Sequence, residues 1–457
     1  MKKRNNKRSS FSGKLGFVLS AAGASVGLGN IWRFPYLAAK YGGGMFLLVY
    51  IILALTFGYT MIVAETSIGR MTKKSPVGAF KFFGNSKFAS LGGWINAIIP
   101  ILIVPYYSVI GGWVIKYLAE YIIGGSKLLA GDDYFTNFIT GGFSAEICFI
   151  IFTFITLAII YAGVRNGIER VSKFMMPILI VLSIIITIYS VTRPGALAGV
   201  KYFLIPTFEN FSWMTVVAAM GQMFYSLSIA MGILITFGSY MKKDLSIEDS
   251  TKNVEIFDTA IAIMAGLMII PAVFAFSGGD PDALNAGPSL MFITIPKMFE
   301  SMGLSTVVGI LFFTLVLFAA LTSSIALTES AVSTFQDEFG WGRKKATFIL
   351  GGIMLVLGSL SALGYGPLAC VKIIGMQFLD FFDFLTNSVM MPIAAFATCL
   401  LVSRKIGLKR IEEEVLSGES NFRRKKIFNF MIKYLCPIFA AIILLSSIAN
   451  AFGWITI

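Results

Sequence analysis

The sequence predicts an all-α polytopic membrane protein, and three observations predict it. Hydrophobic residues make up 56% of the 457-residue chain and charged ones only 13%, with a mean hydropathy of +0.81. Apolar runs of about 20 residues, the length a helix needs to cross a bilayer, recur along the whole chain. The basic residues are concentrated in alternate connecting segments, as they are in membrane proteins. A soluble chain of this length would divide into two or three domains and need far more polar surface.

Eleven spans are expected, at 13–38, 43–65, 89–123, 145–162, 170–192, 213–238, 255–277, 305–334, 344–365, 373–402 and 428–455. The stretch 278–304 is partly apolar but interrupted by prolines and aspartates, and reads as an external loop with short helices. With the N-terminus inside, the segments 1–14, 66–88, 163–173, 239–254, 335–345 and 403–427 are cytoplasmic and carry 28 of the 37 Lys and Arg residues. This positive-inside bias puts the C-terminus outside and makes the net charge of +13 a topology signal, not a nucleic-acid footprint. The charged run 411–426 reads as a solvated cytoplasmic loop.

Several chemistries are excluded early. The chain has no histidine, which removes His-based metal sites, Ser-His-Asp triads and histidine relays. Cys148, Cys370, Cys399 and Cys436 lie in or beside apolar runs without CxxC spacing, and read as packing residues. The N-terminus is basic and then apolar, but no cleavage site leads to a soluble domain, so the first span is expected to be retained. Residues 23–27, GASVG, match the nucleophile elbow formally, yet lack a strand–turn–helix context and a histidine base. The glycine order also fails the dinucleotide fingerprint.

The first span is unusual because AAGASVGLGNIWRFPY (21–36) puts glycines, Asn30, Arg33 and Pro35 at membrane depth. Gly27 and Gly29 permit unwinding, and unwound backbone survives there only where it lines a protein cavity. Freed carbonyls are hard oxygen ligands for a small cation, and freed N–H groups at a helix start attract a carboxylate. Close helix packing is the alternative for the glycines, though it explains neither Asn30 nor Arg33. The sixth span is also interrupted by Gly and Ser, five spans later, which is the pattern of transporters with inverted repeats. Glu65, Asp258, Asp383, the run LTSSIA (321–326) and Tyr106-Tyr107 add polar groups in or near apolar spans. An ionisable residue there points to a site with a partner, whereas Thr322 and Ser323 could equally bond their own helix backbone.

GASVGLGNIWRFPYLAAKYGGGMF (23–46) resembles the first-span signature of the neurotransmitter:sodium symporter family. The resemblance continues through ETSIGR (65–70), PYYSVIGGW (105–113), GQMFYSLSIAMG (221–232), ALTSSIALTES (320–330) and LDFFDF (379–384). It implies a LeuT-like fold, a 5+5 inverted repeat with discontinuous first and sixth helices plus one extra C-terminal helix. The expected division is a cytoplasmic segment 1–12, a first repeat 13–192, an external loop 193–212 and a second repeat 213–402. A cytoplasmic loop 403–427 and an eleventh helix with an external C-terminus, 428–457, would complete it.

The resemblance also implies roles. A first sodium site would use the Ser25 carbonyl with Asn30, Ser226 and Asp258. A second would use the carbonyls of Gly23, Val26 and Ala319 with Thr322 and Ser323. Asp258 stands where asparagine is commoner in the family, and its fixed charge implies chloride-independent transport. Gly27 occupies the position of an amine-pairing aspartate in monoamine transporters, so the implied substrate is an amino acid. Its carboxylate would meet Leu28, Gly29 and Tyr107, and its ammonium the region of Ala24, Tyr225 and Ser226. Ile103, Tyr225, Ser228, Met231 and Leu327 would form an apolar side-chain pocket. Arg33, Gln222 and Asp383 match an external gate; Arg8, Tyr240 and Asp337 match a cytoplasmic one. For Arg8, a topology-setting charge is the alternative. Gly167 and Pro177 fit a spacing that accompanies local helix unwinding in related proteins, although Pro177 would also kink a helix by itself.

The implied activity is sodium-coupled import of hydrophobic L-amino acids across the cell membrane by alternating access, with two sodium ions, as a monomer or weak homodimer. No bond changes, so no enzyme is expected. Transport of another small zwitterion on the same fold, or a non-transporting amino-acid sensor, are the alternatives.

Overall fold

The computed structural model describes residues 9–84, 86–278 and 288–451. Among them the chain is helical, with only an isolated bridge between Ile373 and Met376. The first span is a bent pair, α1 (Lys14–Ser25) and α2 (Gly29–Lys40), meeting at 53°. Then come α3 (Gly44–Thr72), α4 (Ala89–Ile122), α5 (Phe143–Tyr161) and α6 (Val164–Val191). The sixth span is again a pair, α7 (Trp213–Ser226) and α8 (Ile233–Tyr240). It is followed by α9 (Ile247–Ser277), α10 (Ser305–Phe339), α11 (Arg343–Leu363), α12 (Phe378–Ile406) and α13 (Lys425–Asn450). The eleven expected spans thus correspond to nine long apolar helices and two interrupted ones among the described residues.

Local chemistry explains both interruptions. Val26 takes an extended conformation (φ −74°, ψ 96°), and Gly27 follows with no room for a side chain. A methyl group on Gly27 would lie 2.6 Å from Ser323 Oγ and 3.1 Å from the Tyr107 hydroxyl. In the sixth span, Ser228 and Ala230 both have positive φ (52° and 59°). Such backbone costs on the order of 1–3 kcal/mol per residue and persists only when its surroundings hold it. Here Glu65 of α3 accepts a hydrogen bond from Ala230 N (2.7 Å), and Ser228 Oγ donates to the Ala24 carbonyl (2.8 Å). The two breaks therefore face and support each other in the middle of the bundle.

Three expectations change. The segment 411–426 is not a solvated loop. A helix, Leu408–Leu416, buries Ile411 and Val415, four residues apart on one face, and docks against the end of α3. There Arg70 of the ETSIGR stretch, fully buried, donates to Glu414 Oε1 (2.6 Å), Leu245 O (2.6 Å) and Ser417 Oγ (2.9 Å). The following turn is held by Glu248, which accepts from the backbone N–H groups of Arg423 (2.8 Å) and Arg424 (3.0 Å). A charge run is solvated only when nothing apolar alternates within it, and here Ile411, Val415 and Phe422 do.

The loop 193–212 contains a helix, Ala196–Leu204, that buries Phe203. Finally, α6 is wound throughout, with a π-type first turn at Val164–Glu169 that includes Gly167, and with Pro177 inside the helix. The unwinding implied by Gly167 and Pro177 is absent in this conformation. The start of α6 is clamped instead: Glu169 accepts from Ser12 N (2.9 Å) and Lys173 Nζ (2.6 Å).

Candidate functional site

The two breaks enclose a central cavity lined by Ala24, Ser25, Gly27, Leu28, Gly29 and Asn30 from the first span. Ile103 and Tyr107 of α4, Tyr225, Ser228 and Met231 of the sixth span, and Ser323 and Leu327 of α10 complete it. The residues expected to meet substrate thus line one space, except Ser226, which belongs to the polar cluster beside it. Its water-accessible volume is about 20 Å³, room for roughly one water. The lining carries no ionised side chain. Tyr107 OH accepts from Leu28 N (3.3 Å), which ties α4 to the break.

Beside the cavity lies a buried polar knot. Asn30 Nδ2 donates to Asp258 Oδ1 (2.8 Å) and Ser226 Oγ (3.0 Å), while Gly27 N donates to Asn30 Oδ1 (3.2 Å). Ser226 Oγ lies 2.8 and 3.0 Å from the two Asp258 carboxylate oxygens. Tyr50 OH donates to Asp258 Oδ2 (3.0 Å) and contacts Ser226 Oγ at 2.9 Å. Sequence reasoning missed Tyr50, because a tyrosine in an apolar helix reads as packing until its hydroxyl has a partner. Asn30, Tyr50 and Asp258 are fully buried and Ser226 nearly so, and Asp258 lies inside α9, well away from both of its ends. Ser25 shares the cavity wall with Asn30; its hydroxyl turns back to Ala21 O (3.1 Å).

A second oxygen cluster lies where α1 meets α10. Ser323 Oγ is 3.4 Å from Gly23 O, 3.1 Å from Ala24 O and 3.4 Å from Val26 O. Thr322 Oγ1 is 3.1 Å from Ala319 O, and Gly23 packs against Thr322. All but Ala24 belong to the five residues expected to form the second cation shell; the Thr322 hydroxyl bonds back to its own helix, to Phe318 O (2.9 Å) and Ala319 O. All their oxygens are neutral, the chemistry that suits a hard monovalent cation.

Above the central cavity is a second one of about 270 Å³, lined by Trp32, Arg33, Tyr36, Tyr106, Tyr225 and Asp383 among others. Tyr225 lines both, so its ring is the wall between them. Gly29 allows this, since a methyl group there would collide with the ring. Arg33 and Asp383 face the upper cavity without an ion pair between them. The Arg33 guanidinium lies 5.6 Å from the Tyr225 ring centre, while Asp383 accepts from Asn387 (2.6 Å) and Tyr106 OH (3.2 Å). Gln222 is buried deeper and donates to Gly29 O (3.0 Å), so it braces the break.

Arg8 lies outside the described residues; the other two expected cytoplasmic-gate residues lie at the opposite end of the bundle. Asp337 accepts from Ser75 N (2.6 Å), and Tyr240 OH donates to Glu329 Oε1 (2.7 Å). Glu329, not anticipated from the sequence, is fully buried and paired with Arg343 (2.5 Å). Glu65 has a partner, as an intramembrane carboxylate should, in the Ala230 N–H.

The sequence profile of the sodium:neurotransmitter symporter family matches residues 8–124 and 138–453. The chain belongs to this family. Curated relatives include the uncharacterized sodium-dependent transporter YhdH of Bacillus subtilis, 33% identical, with the match covering 96% of this chain and 97% of the relative. An uncharacterized sodium-dependent transporter of Haemophilus influenzae is also 33% identical, over 98% of this chain and 100% of its own. Among solved structures, MhsT in complex with L-phenylalanine superposes with a TM-score of 0.86 at 36% identity, covering 96% of this chain and 100% of that one. This symporter is therefore a multi-pass membrane protein with a LeuT-like fold and sodium-coupled transport as its activity, and it is not an enzyme.

Proposed function

We propose that this chain imports hydrophobic L-amino acids, with bulky aliphatic or aromatic side chains, together with two sodium ions and without chloride. The observation that carries the reading is the lining of the central cavity. The Leu28 N–H and the Tyr107 hydroxyl, 3.3 Å apart, form a polar part of this lining, and Ile103, Met231 and Leu327 form an apolar part. The polar part suits a carboxylate at a helix start; the apolar part suits an apolar side chain. Gly27 leaves no counter-charge for an amine ligand. MhsT, which binds L-phenylalanine, adds support through its likeness to the whole chain.

In this reading one sodium ion is held by the Ser25 carbonyl, Asn30, Ser226 and Asp258, in contact with the substrate carboxylate. That shared contact couples the two solutes. The second ion is held by Gly23, Val26, Ala319, Thr322 and Ser323, where it ties α1 to α10. The Asp258 carboxylate supplies the negative charge that a bound chloride would otherwise provide. Each inward sodium ion contributes about 2.3 kcal/mol per 100 mV of membrane potential. Tyr225 closes over the substrate, Arg33 and Asp383 approach each other as the upper cavity dries, and Tyr240, Asp337 and Arg8 close the cytoplasmic side. The N-terminus is cytoplasmic and the C-terminus external.

The small volume of the cavity favours a second reading, a smaller neutral zwitterion, because a phenylalanine side chain needs Tyr225 and Met231 to move. One experiment tests both: uptake of labelled tryptophan, leucine and alanine into proteoliposomes, under sodium or potassium gradients, with chloride or gluconate. Sodium-driven uptake, insensitive to chloride and strongest for tryptophan or leucine, is expected. Best competition by unlabelled glutamate or lysine would sink the proposal, and best competition by alanine would favour the second reading.

A further inference from the structure

A cavity of about 330 Å³ opens on the bundle's flank, away from both cavities described above. It lies between the start of α4, the short helix Pro76–Phe83 before it, and the last turns of α12. Its walls are mostly apolar, Phe80, Ala89, Ala397, Leu400 and Leu401, with Ser86 as one polar member. Its rim is basic, formed by Arg404 and Lys405 in the last turn of α12, where Gly407 ends the helix with φ 85°. Among the described residues no acidic side chain lines it.

Helical spacing makes this arrangement a built one. Ala397, Leu400, Leu401 and Arg404 fall at positions i, i+3, i+4 and i+7, on one face of α12. That face packs on α4 at its inner end, where a methyl group on Gly92 would lie 3.0 Å from the Ala397 Cβ. The two helices therefore touch at Gly92 and Ala397 and part toward Arg404, leaving the cavity between them. Both are membrane-spanning, and their flanks expose Leu91 (58%) and Phe396 (38%), as helices facing acyl chains do.

Arg404 and Lys405 are exposed, and neither makes an ion pair or hydrogen bond among the described residues. Among the described residues at this end of the bundle, Lys81 pairs with Glu338, Arg70 with Glu414, Arg424 with Glu255 and Lys425 with Glu412, whereas Lys87, Lys409, Arg410 and Lys426 make no ion pair; what sets Arg404 and Lys405 apart is that they line the cavity. Two adjacent unpaired cations over an apolar slot at a helix terminus match an anionic phospholipid. The phosphate would sit on Arg404 and Lys405, and an acyl chain would run down between Ala397 and Phe80. A basic pocket between membrane helices is a recurring form of lipid headgroup site.

We propose that the α4–α12 cleft is a specific binding site for an anionic phospholipid of the leaflet at this end of the bundle. The lipid would fill the gap between α12 and the Pro76–Phe83 helix and so hold the two together.

The test is native mass spectrometry of the full chain, purified and titrated with phosphatidylglycerol, phosphatidylcholine or inorganic phosphate. The wild type is expected to retain one phosphatidylglycerol at least fivefold more than phosphatidylcholine, and to retain no phosphate. Arg404→Gln with Lys405→Gln should abolish that preference. Lys344→Gln with Lys345→Gln, the same loss of charge elsewhere on the same side, should leave it intact. Leu400→Trp, which fills the slot without touching charge, should also reduce retention. Equal loss in both double variants would mean that net charge alone attracts the lipid and would overturn the proposal. Undiminished retention in the Arg404/Lys405 variant would overturn it as well.

Discussion

Asn30 and Asp258, 228 residues apart, meet at 2.8 Å in the middle of the bundle, with Ser226 and Tyr50 on the same carboxylate. A buried carboxylate with three polar partners is held in place, and its charge is compensated only by dipoles. In the proposed mechanism it is Asp258 that balances the charge of a sodium ion beside Asn30.

Replacing Asp258 by Asn removes that charge and keeps the shape. Hydrogen bonds to a charged group are worth about 1.5–3 kcal/mol, so sodium-driven uptake in gluconate should fall at least tenfold. Chloride should restore part of it in D258N while leaving the wild type unchanged. Equal D258N uptake with and without chloride would show that Asp258 does not play this part.

Gly27→Ala should raise the KM for substrate roughly tenfold, because its methyl group would sit 2.6 Å from Ser323 Oγ. Overpacking of this kind costs about 1–3 kcal/mol. The check is uptake kinetics, with the sodium concentration for half-maximal uptake as a second readout, since Ser323 also belongs to the second oxygen cluster. An unchanged KM would mean that the break is more pliable than its contacts imply.

Glu65 supports the positive-φ backbone at Ser228 and Ala230 through a single acceptor. Glu65→Ala leaves the Ala230 N–H without its partner in a buried place, which costs about 1–3 kcal/mol. The melting temperature of the detergent-solubilised protein should therefore drop, with loss of uptake. Glu65→Gln retains an acceptor oxygen and should keep most of the thermal stability. Identical melting of both variants and the wild type would remove this role.

Two ion pairs should behave oppositely. Arg70→Ala leaves buried Glu414 with only Lys243 Nζ, 3.9 Å away, and breaking a buried pair costs about 3–5 kcal/mol. Lys14→Ala breaks an exposed pair with Asp249 at 3.5 Å, worth under about 1 kcal/mol. Thermal unfolding should separate the two clearly. Comparable melting of both variants would mean that the 408–424 segment does not help to hold the fold.

Composition and periodicity determined much of this protein in advance. Crossing a bilayer demands apolar runs of a set length, so the spans could be read directly, and glycines at membrane depth marked the breaks. The family resemblance then named the residues that line the central cavity, because Gly27, Tyr107 and Tyr225 stand in recognisable motifs. The partners of those residues could not be read. Tyr50 reaching Asp258, Glu65 reaching Ala230 and Glu329 reaching Arg343 are contacts across 208, 165 and 14 residues, with no local signature. The segment 411–426 differs for the same reason: its charges look solvated in sequence, and the docking of Ile411 and Val415 beside Arg70 buries Glu414 while Glu413, Arg423 and Lys426 stay exposed. One sequence determines what each segment can do alone in lipid or water. Which polar group meets which is decided by packing, since a buried donor or acceptor takes whatever partner the tertiary structure brings within reach.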